Sequence, residues 1–371
     1  MRGALPIDAG EYVQSVACDR HERRGSSRAE FDVTSPPAAP SRGGSVRGLD
    51  TLRFVAALWV AFSHGASPPV DSMFGVHGPA THLVSAGMAL VFNGTAAVVV
   101  FFVISGFCIH LPNIGAERLD WRRFLTRRLV RIVPPLLAII GLTRWLGDRY
   151  VAAVDTVLWS VYCELIYYAL YPLLFALLRH WRLRYILIAS IAPMAILLAL
   201  KPTAAFLWHF GAWTWLYCAP FWLLGAELAE RYRRGSLRTR GSIWIWRCAA
   251  VVLCGLATVA LYHLPIAVGY PWTMPAFAVF ATFWVAQEIG HAEQKGAVAV
   301  LELLGAGSYS LYLAHKIPLE ALPAPTGALG WLELLAAIAA ATLALYVFVE
   351  RPSHQLARWL GRRRRAPAFA V

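Results

Sequence analysis

The chain has 371 residues, of which 58% are hydrophobic and only 15% are charged. A soluble globular protein carries about a quarter charged residues, and one soluble core of this size could not bury so much apolar surface. The composition therefore excludes an ordinary soluble protein and predicts helices that face lipid. The formal net charge of +13 does not indicate a nucleic-acid partner, because the arginines lie between apolar runs and form no single stripe.

Residues 1–46 are polar and rich in Arg, Ser and Pro. Such a composition cannot bury enough apolar surface to fold, so we expect a disordered cytoplasmic tail. No apolar stretch followed by a cleavage site lies near Met1, and no secretory signal peptide is predicted.

From residue 49 onward, apolar segments of about 17–25 residues recur, which is the length that a helix needs to cross a bilayer. Lipid offers no partner to open backbone groups, so these segments are predicted to be helices. The predicted fold is an all-α integral membrane protein of the cell (inner) membrane with about ten transmembrane helices. In chain order the segments cover residues 49–66, 87–111, 129–147, 157–178, 184–200, 210–229, 244–264, 271–289, 297–318 and 331–349.

Lys and Arg residues in the connections test this topology, because they favour cytoplasmic loops. With a cytoplasmic N-terminus, 28 of the 34 Lys and Arg residues fall in predicted cytoplasmic segments, and the first outer connection, 67–86, has none. An odd number of spans breaks this alternation, so both termini are predicted to be cytoplasmic. Residues 356–371 are expected to form a basic cytoplasmic tail near anionic lipid.

The cysteines form neither a CxxC motif nor a Cys/His pattern. Neither a metal site nor a disulfide framework is therefore predicted. The six residues are Cys18, Cys108, Cys163, Cys218, Cys248 and Cys254.

An ionisable residue within a span is costly, and each one marks a candidate functional site. Arg53 and His64 lie eleven residues apart in the first segment. Eleven steps of about 100° return to within about 20° of one face, about 16 Å along the axis, so both side chains are predicted to project from one stripe. Asp50, one turn before Arg53, can pair with it or cap the helix.

Two further patterns each have two interpretations. Ser105 and Gly106, near the end of the second segment, allow close helix approach or line a path where a backbone nears a substrate. Arg128 and Arg131 share one helix face at the predicted cytoplasmic edge of the third segment. They suit the phosphates of an anionic cofactor, and they equally suit a cytoplasmic topology anchor.

Glu164 lies in an otherwise apolar fourth segment, with no basic residue within one helical turn. It must be protonated, solvated in a cavity or paired with another helix, for which Arg53 and His64 are the candidates. The ninth segment carries several hydroxyl groups and His315. The tenth closes with Glu350-Arg351-Pro352, where proline is expected to end the helix.

The order of these motifs resembles the membrane acyltransferase type 3 family over roughly residues 46–355, with the membrane domain at 47–355. No single motif is decisive, but eight occur in the family's order. They are Arg47-Gly48-Leu49-Asp50-x-x-Arg53, Arg53-x10-His64, Phe101-Phe102-Val103-Ile104-Ser105-Gly106-Phe107, Arg128-x-x-Arg131-Ile132-x-Pro134, Trp159-Ser160-x4-Glu164-x3-Tyr168-x3-Pro172, Phe221-x-Leu223-Leu224-Gly225-x-x-Leu228-Ala229, Ser308-Tyr309-Ser310-Leu311-Tyr312-x-x-His315 and Glu350-Arg351-Pro352.

The resemblance implies transfer of an acyl group from a cytoplasmic donor to a hydroxyl group of a sugar, glycan or other small acceptor. The donor of the family is usually acyl-coenzyme A, and acetyl-coenzyme A is expected here, with no metal. Members modify bacterial surface polysaccharides, nodulation oligosaccharides or macrolides. Contact with membrane lipid is expected, and a homo-oligomer is left open.

Within that mechanism, His64 is expected to act as general base or, as the less favoured option, as a transient acyl carrier. Arg53 would position the donor or stabilise developing negative charge, and Glu164 would orient His64. Arg128 and Arg131 would hold the phosphates of coenzyme A. The other substrate-binding residues are expected to be Asp50, Ser105, Ser160, Tyr168 and His315.

Two other classes compete with an acyltransferase. A transporter or flippase for a lipid-linked sugar also needs buried Arg, His and Glu, but the sequence shows no pair of broken helices typical of inverted repeats. A membrane assembly or regulatory factor without catalysis is the third class, and only an activity measurement separates it from an enzyme.

Overall fold

The computed structural model describes residues 46–74, 78–237, 239, 241–264 and 268–362, which form helices and connections without a strand. Residues 1–45 of the predicted disordered tail and residues 363–371 of the predicted basic tail lie outside the described residues. The α-helices are α1 (Leu49–Ala61), α2 (Val70–Phe74), α3 (Pro79–Val91), α4 (Gly94–His110), α5 (Trp121–Leu146), α6 (Asp148–Leu177), α7 (Leu183–Leu200), α8 (Thr214–Arg233), α9 (Ile243–Tyr262), α10 (Tyr270–Lys295), α11 (Ala299–Gly305), α12 (Ser308–Ala314), α13 (Lys316–Ala321), α14 (Gly327–Leu345) and α15 (Arg351–Arg362).

All ten predicted apolar segments coincide with helical parts of the chain. Within the described ranges, six helical stretches are long and apolar enough to cross a membrane. The four segments outside these stretches, at 49–66, 210–229, 271–289 and 297–318, are short, interrupted or carry charged and polar side chains. The six stretches are Ala80–Asn113, Trp121–Leu146, Asp148–Leu177, Leu183–Leu200, Ile243–Tyr262 and Gly327–Leu360.

The first segment is not one continuous α-helix. α1 ends at Ala61 and is followed by a π-helical turn over Phe62–Ala66, in which Gly65 has a φ of 116°. Each ring of a π-helix holds one residue more than a ring of an α-helix. Side chains after Ala61 are therefore rotated away from the stripe that α1 defines.

The ninth and tenth segments also depart from the prediction. Turns at residues 306–307 and at His315 divide the ninth segment into α11, α12 and α13. In the tenth, a π turn over Tyr346–Glu350 joins α14 to α15, so the prediction that Pro352 ends the helix is wrong. Pro352 comes two residues after the π turn, and the helix continues through it to Arg362.

α4 is the central helix of the bundle. It is apolar around its whole circumference, and thirteen of its residues are buried, as expected for a helix surrounded by others. Asn93 fixes its start: the side chain accepts a hydrogen bond from the Ala96 amide at 3.0 Å and donates one to Thr258 at 3.2 Å. By contrast, α7 buries only Leu183 and is available to lipid.

α4 and α8 pack backbone to backbone at Gly106 and Gly225. A Cβ atom at Gly106 would collide with the carbonyl oxygen of Trp222, and one at Gly225 with that of Val103. Small residues at a crossing let two helices approach closely inside a membrane. The interpretation of Ser105 and Gly106 as a site of close helix approach is thus confirmed at Gly106.

Adding a methyl group at either glycine is expected to destabilise the protein. Gly106→Ala or Gly225→Ala forces the two backbones apart, with an expected loss of about 1–3 kcal/mol, as for other overpacked interiors. Size-exclusion chromatography of heated, detergent-solubilised protein would show a lower midpoint temperature. Gly141→Ala in α5 is the matched control, because no atom lies within 4 Å of a Cβ there. Equal losses in all three variants would contradict the packing argument.

Candidate active site

Two cavities lie among the helices that carry the predicted site residues. The first, of about 300 Å³, is lined by Arg53, Arg128 and Arg131 and is named the Arg cavity. The second, of about 590 Å³, is lined by His64 and is named the His cavity. Both volumes lie in the range of sites for small molecules.

Several helices pass from one cavity to the other. Along the first segment, Arg53 lines the Arg cavity and His64 lines the His cavity. Along α6 the order is reversed, with Val157 at the His cavity and Glu164 at the Arg cavity. The first segment runs from the Arg cavity to the His cavity, and α6 runs from the His cavity to the Arg cavity. The two cavities therefore lie at different depths along the helix axes.

The Arg cavity brings together eight of the ten residues predicted for the site. His64 lies elsewhere, at the His cavity, and His315 is fully buried beside it. The eight are Asp50, Arg53, Ser105, Arg128, Arg131, Ser160, Glu164 and Tyr168.

Arg53 is half-buried and has two side-chain partners. It forms an ion pair with Asp50 one turn earlier, and its Nη2 donates a hydrogen bond to Sγ of Cys108 at 3.1 Å. The start of α1 is capped by Glu302, whose Oε1 accepts a hydrogen bond from the Thr51 amide at 2.9 Å, and not by Asp50. Of the two roles predicted for Asp50, pairing is therefore the one observed, and it compensates the charge of Arg53.

Arg128 and Arg131 have no such compensation. In the described part of the chain, no carboxylate lies within 4.0 Å of either guanidinium group. Arg131 donates from Nε to Nε2 of His354 at 2.9 Å, and the Arg128 guanidinium lies 6.0 Å from the ring centre of Tyr168. Their charges are thus available to an anion, which arginine binds through several N–H donors at once.

Glu164 belongs to a hydrogen-bond network inside the Arg cavity. Its Oε1 accepts a hydrogen bond from the Ser105 hydroxyl at 2.9 Å and another from the Tyr168 hydroxyl. Ser105 in turn accepts one from the Trp222 indole at 3.2 Å. The prediction that Glu164 orients His64 is wrong, because the two side chains line different cavities and Glu164 is engaged by these hydroxyl groups.

His64 is instead paired with His315. Its Nδ1 lies 2.9 Å from Nε2 of His315, whose own Nδ1 lies 3.1 Å from the carbonyl oxygen of Leu311. A carbonyl only accepts, so Nδ1 of His315 carries the proton and its Nε2 accepts from His64. His64 is then protonated at Nδ1, and its Nε2 keeps a lone pair. The histidine predicted to bind substrate, His315, therefore orients the predicted base.

Arg53 and His64 line cavities at different depths, and the π turn also changes the direction in which His64 projects. The prediction of one stripe assumed an unbroken α-helix between them. Because the turn after Ala61 is wider, His64 is displaced from the stripe that carries Arg53. It is brought within hydrogen-bond distance of His315 instead.

Aromatic rings dominate the walls of the His cavity. Among them Phe206 and Trp208 are stacked, with ring centres 4.4 Å apart. Lys316, directly after His315 in the chain, is a charged group on the same wall. The aromatic residues are Phe62, Phe92, Trp159, Phe206, Trp208, Tyr262, Tyr270 and Tyr312.

Several residues of the Arg cavity were not predicted for the site. Glu350, placed in a motif but given no role, accepts hydrogen bonds from the amide of Ser310 at 3.0 Å and from its hydroxyl at 2.5 Å. His354 follows Glu350 by one helical turn, a spacing that could have identified it. The unpredicted residues with a polar or sulfur-bearing side chain are Cys108, Ser308, Tyr309, Tyr312, Glu350 and His354.

Comparison with known proteins identifies the family of this chain. The model of the acyltransferase 3 family, an acyltransferase domain, matches residues 46–350. Acyltransferase MdmB of Streptomyces mycarofaciens is 25% identical over 391 aligned positions, which cover 88% of this chain and 95% of that protein. No solved structure shows a significant match. The matched range contains both cavities except His354, and the chain belongs to the acyltransferase 3 family and is an acyltransferase.

Proposed function

We propose that this acyltransferase is a protein of the inner membrane that moves an acyl group, acetyl in the first instance, from acyl-coenzyme A to a hydroxyl group of a carbohydrate or another small acceptor. The observation that carries the proposal is the pair of cavities. One holds arginines without carboxylate partners, and the other holds a histidine whose Nε2 is free to accept a proton.

The proposed topology has ten spans with both termini in the cytoplasm. It is supported by the 28 of 34 Lys and Arg residues that fall on one side. In this orientation Arg128 and Arg131 face the cytoplasm, where acyl-coenzyme A is made. The Arg cavity is then the donor side, and the His cavity lies further across the membrane.

The donor would bind through its phosphates at Arg128 and Arg131. Its pantetheine arm would extend into the Arg cavity past Arg53, so that the thioester at the end of the arm enters the cavity first. Ser105, Glu164 and Tyr168 offer hydrogen-bonding groups along that path. A cavity of about 300 Å³ holds the arm, while the nucleotide stays at the mouth, where Arg131 is exposed.

The chemistry needs a base for the acceptor hydroxyl. Nε2 of His64 takes the hydroxyl proton while the oxygen bonds to the thioester carbon, giving a tetrahedral intermediate. When the carbon–sulfur bond breaks, the sulfur leaves with its electron pair and receives the proton from His64. The products are an ester and the free thiol of coenzyme A. Nε2 of His315 accepts the hydrogen bond from Nδ1–H of His64 throughout, which keeps Nε2 of His64 directed to the substrate.

The acceptor would occupy the His cavity. Its aromatic walls suit the apolar C–H faces of sugar rings, which pack on flat side chains. Lys316 and the hydroxyl groups of Ser63, Ser67 and Thr95 provide polar contacts on the same walls. This lining supports a carbohydrate or a glycosylated molecule as acceptor.

Transport is the second candidate function. Two cavities at different depths also suit a carrier with alternating access, and the ninth segment is broken in its middle. Membership of an acyltransferase family favours acyl transfer. Reconstituted protein that moves a lipid-linked sugar across the bilayer without acylating it would favour transport instead.

Loss of the base is expected to abolish transfer. His64→Ala should lower kcat by about 10²–10⁴-fold, the usual contribution of a general base. The measurement is acyl transfer by protein in lipid nanodiscs, with the exposed His180→Ala as control. Full activity of His64→Ala would refute the assignment. An acyl mass on the His64 peptide without acceptor would identify it as an acyl carrier.

Loss of Arg128 and Arg131, the two arginines without carboxylate partners, is expected to weaken donor binding. Arg128→Ala with Arg131→Ala removes charge-assisted hydrogen bonds of about 1.5–3 kcal/mol each, so KM for acetyl-coenzyme A should rise at least about tenfold. Arg127→Ala is the matched control, because this arginine is exposed on the same helix and lies outside the cavity. Equal KM values for the double variant and the control would contradict the phosphate assignment.

The histidine pair predicts a split between kinetic constants. His315→Ala leaves Nδ1 of His64 without its acceptor, so kcat should fall by about 10²-fold while KM for both substrates stays near the wild-type value. His315→Gln supplies an amide oxygen in place of Nε2 and should restore part of kcat. Similar loss in both variants, or a change confined to KM, would show that His315 does not position the base.

A further inference from the structure

The two cavities are separated by a thin wall. Among the described residues, Val98 and Tyr312 are the two that line both cavities. Both are buried, with 4% and 6% of their surface exposed. These two side chains therefore form part of the wall between the Arg cavity and the His cavity.

Tyr312 is held firmly in this wall. Its hydroxyl donates a hydrogen bond to the carbonyl oxygen of Val157 at 2.9 Å and lies 2.7 Å from the Ser160 hydroxyl. Its ring packs edge-on against Phe101, with centres 5.7 Å apart. Three contacts on α4 and α6 thus fix a ring that belongs to α12.

Val98 completes the wall from the α4 side. Along α4, Gly94 and Thr95 line the His cavity, whereas Phe101, nearly two turns further on, lines the Arg cavity. Val98 lies between these positions on α4 and lines both cavities. Because its side chain is branched at Cβ, one rotamer dominates in a helix and the wall has little freedom there.

The proposed reaction has to cross this wall. The thioester approaches from the Arg cavity with its acyl group in front, and the hydroxyl activated by His64 waits in the His cavity. We propose that Val98 and Tyr312 form an aperture that admits the acyl group and selects short acyl chains. This inference rests on the proposed function and adds the residues that set the donor's acyl length.

The aperture also separates the thioester from water. In hydrolysis, a water oxygen bonds to the acyl carbon, the carbon–sulfur bond breaks, and the sulfur leaves as the thiol of coenzyme A with a proton from that water. Side chains that fill the opening exclude this water until an acceptor hydroxyl is in place. A wider aperture should therefore raise the release of free acid in the absence of acceptor.

Donor length provides the test. Acetyl-, butyryl- and hexanoyl-coenzyme A are compared by kcat/KM, with product ester and free acid measured by mass spectrometry. Val98→Ala and Tyr312→Ala both remove side-chain volume from the opening. Each should raise the hexanoyl-to-acetyl ratio by about tenfold, since one methylene group in a hydrophobic pocket is worth about 10–200-fold. Both should also raise hydrolysis without acceptor. Val99→Ala is the matched control, because Val99 is fully buried next to Val98 but lines neither cavity.

If the wild type transfers acyl groups and Val98→Ala has the same ratio as Val99→Ala, the aperture does not set acyl length and the inference is overturned. Absence of transfer by the wild type would refute the proposed function itself.

A second experiment tests the aperture without relying on acyl transfer. Cys108 lines the Arg cavity, and a membrane-impermeant thiol reagent is added to either face of sealed vesicles, with labelling of the Cys108 peptide read by mass spectrometry.

In the wild type and in Val99→Ala, Cys108 should be labelled from one face alone. In the double variant Val98→Ala, Tyr312→Ala, with retained thermal stability, it should be labelled from both faces. Labelling of the wild type from both faces, or no gain in the double variant, would show that these residues do not close the passage.

Discussion

Inside a bilayer, an ionisable side chain is stable only if it has a partner or reaches water. This constraint accounts for the interior of the protein. Arg247 satisfies it by pairing with Glu288 through two hydrogen bonds of 2.8 and 2.9 Å. His110 satisfies it by lying 3.1 Å from both Tyr171 and Glu230. These residues are already matched, and they need no cavity.

The site residues satisfy the same constraint differently. Arg128 and Arg131 border an open space instead of a carboxylate, and the helices around them stand apart to provide it. Elsewhere the helices pack closely: at Gly106 and Gly225 the backbones of α4 and α8 are in direct contact. Where the bundle is tight it holds α4 in place, and where it is open it leaves the Arg cavity.

The sequence predicts what depends on local pattern. The ten apolar segments coincide with helical parts of the chain because hydropathy and length are local properties, and the pair of Asp50 and Arg53 was predictable from a spacing of three residues. The partner of His64 was not predictable, since His315 lies 251 residues away. Glu164 was assigned to His64 because both are ionisable groups in spans, but no sequence pattern reports which hydroxyl groups surround a carboxylate.

The remaining errors come from departures from regular helix. The stripe of Arg53 and His64 and the end of the chain's last span were both predicted with the period of the α-helix, and a π turn interrupts each of them. The role of Tyr312 at the wall also escaped prediction. Its spacing of three residues from Tyr309 indicates a shared face but not the helices that this face meets.

The π turn after Ala61 has a consequence for how such a site is inherited. Ten residues separate Arg53 from His64, and one of them is the residue that the wider turn takes up. No point substitution removes that residue; only a deletion does. The direction of the His64 imidazole is therefore encoded in the length of the chain. A relative that lacks one residue here would present its histidine to a different neighbour, although Arg53 and His64 would both have counterparts in its sequence.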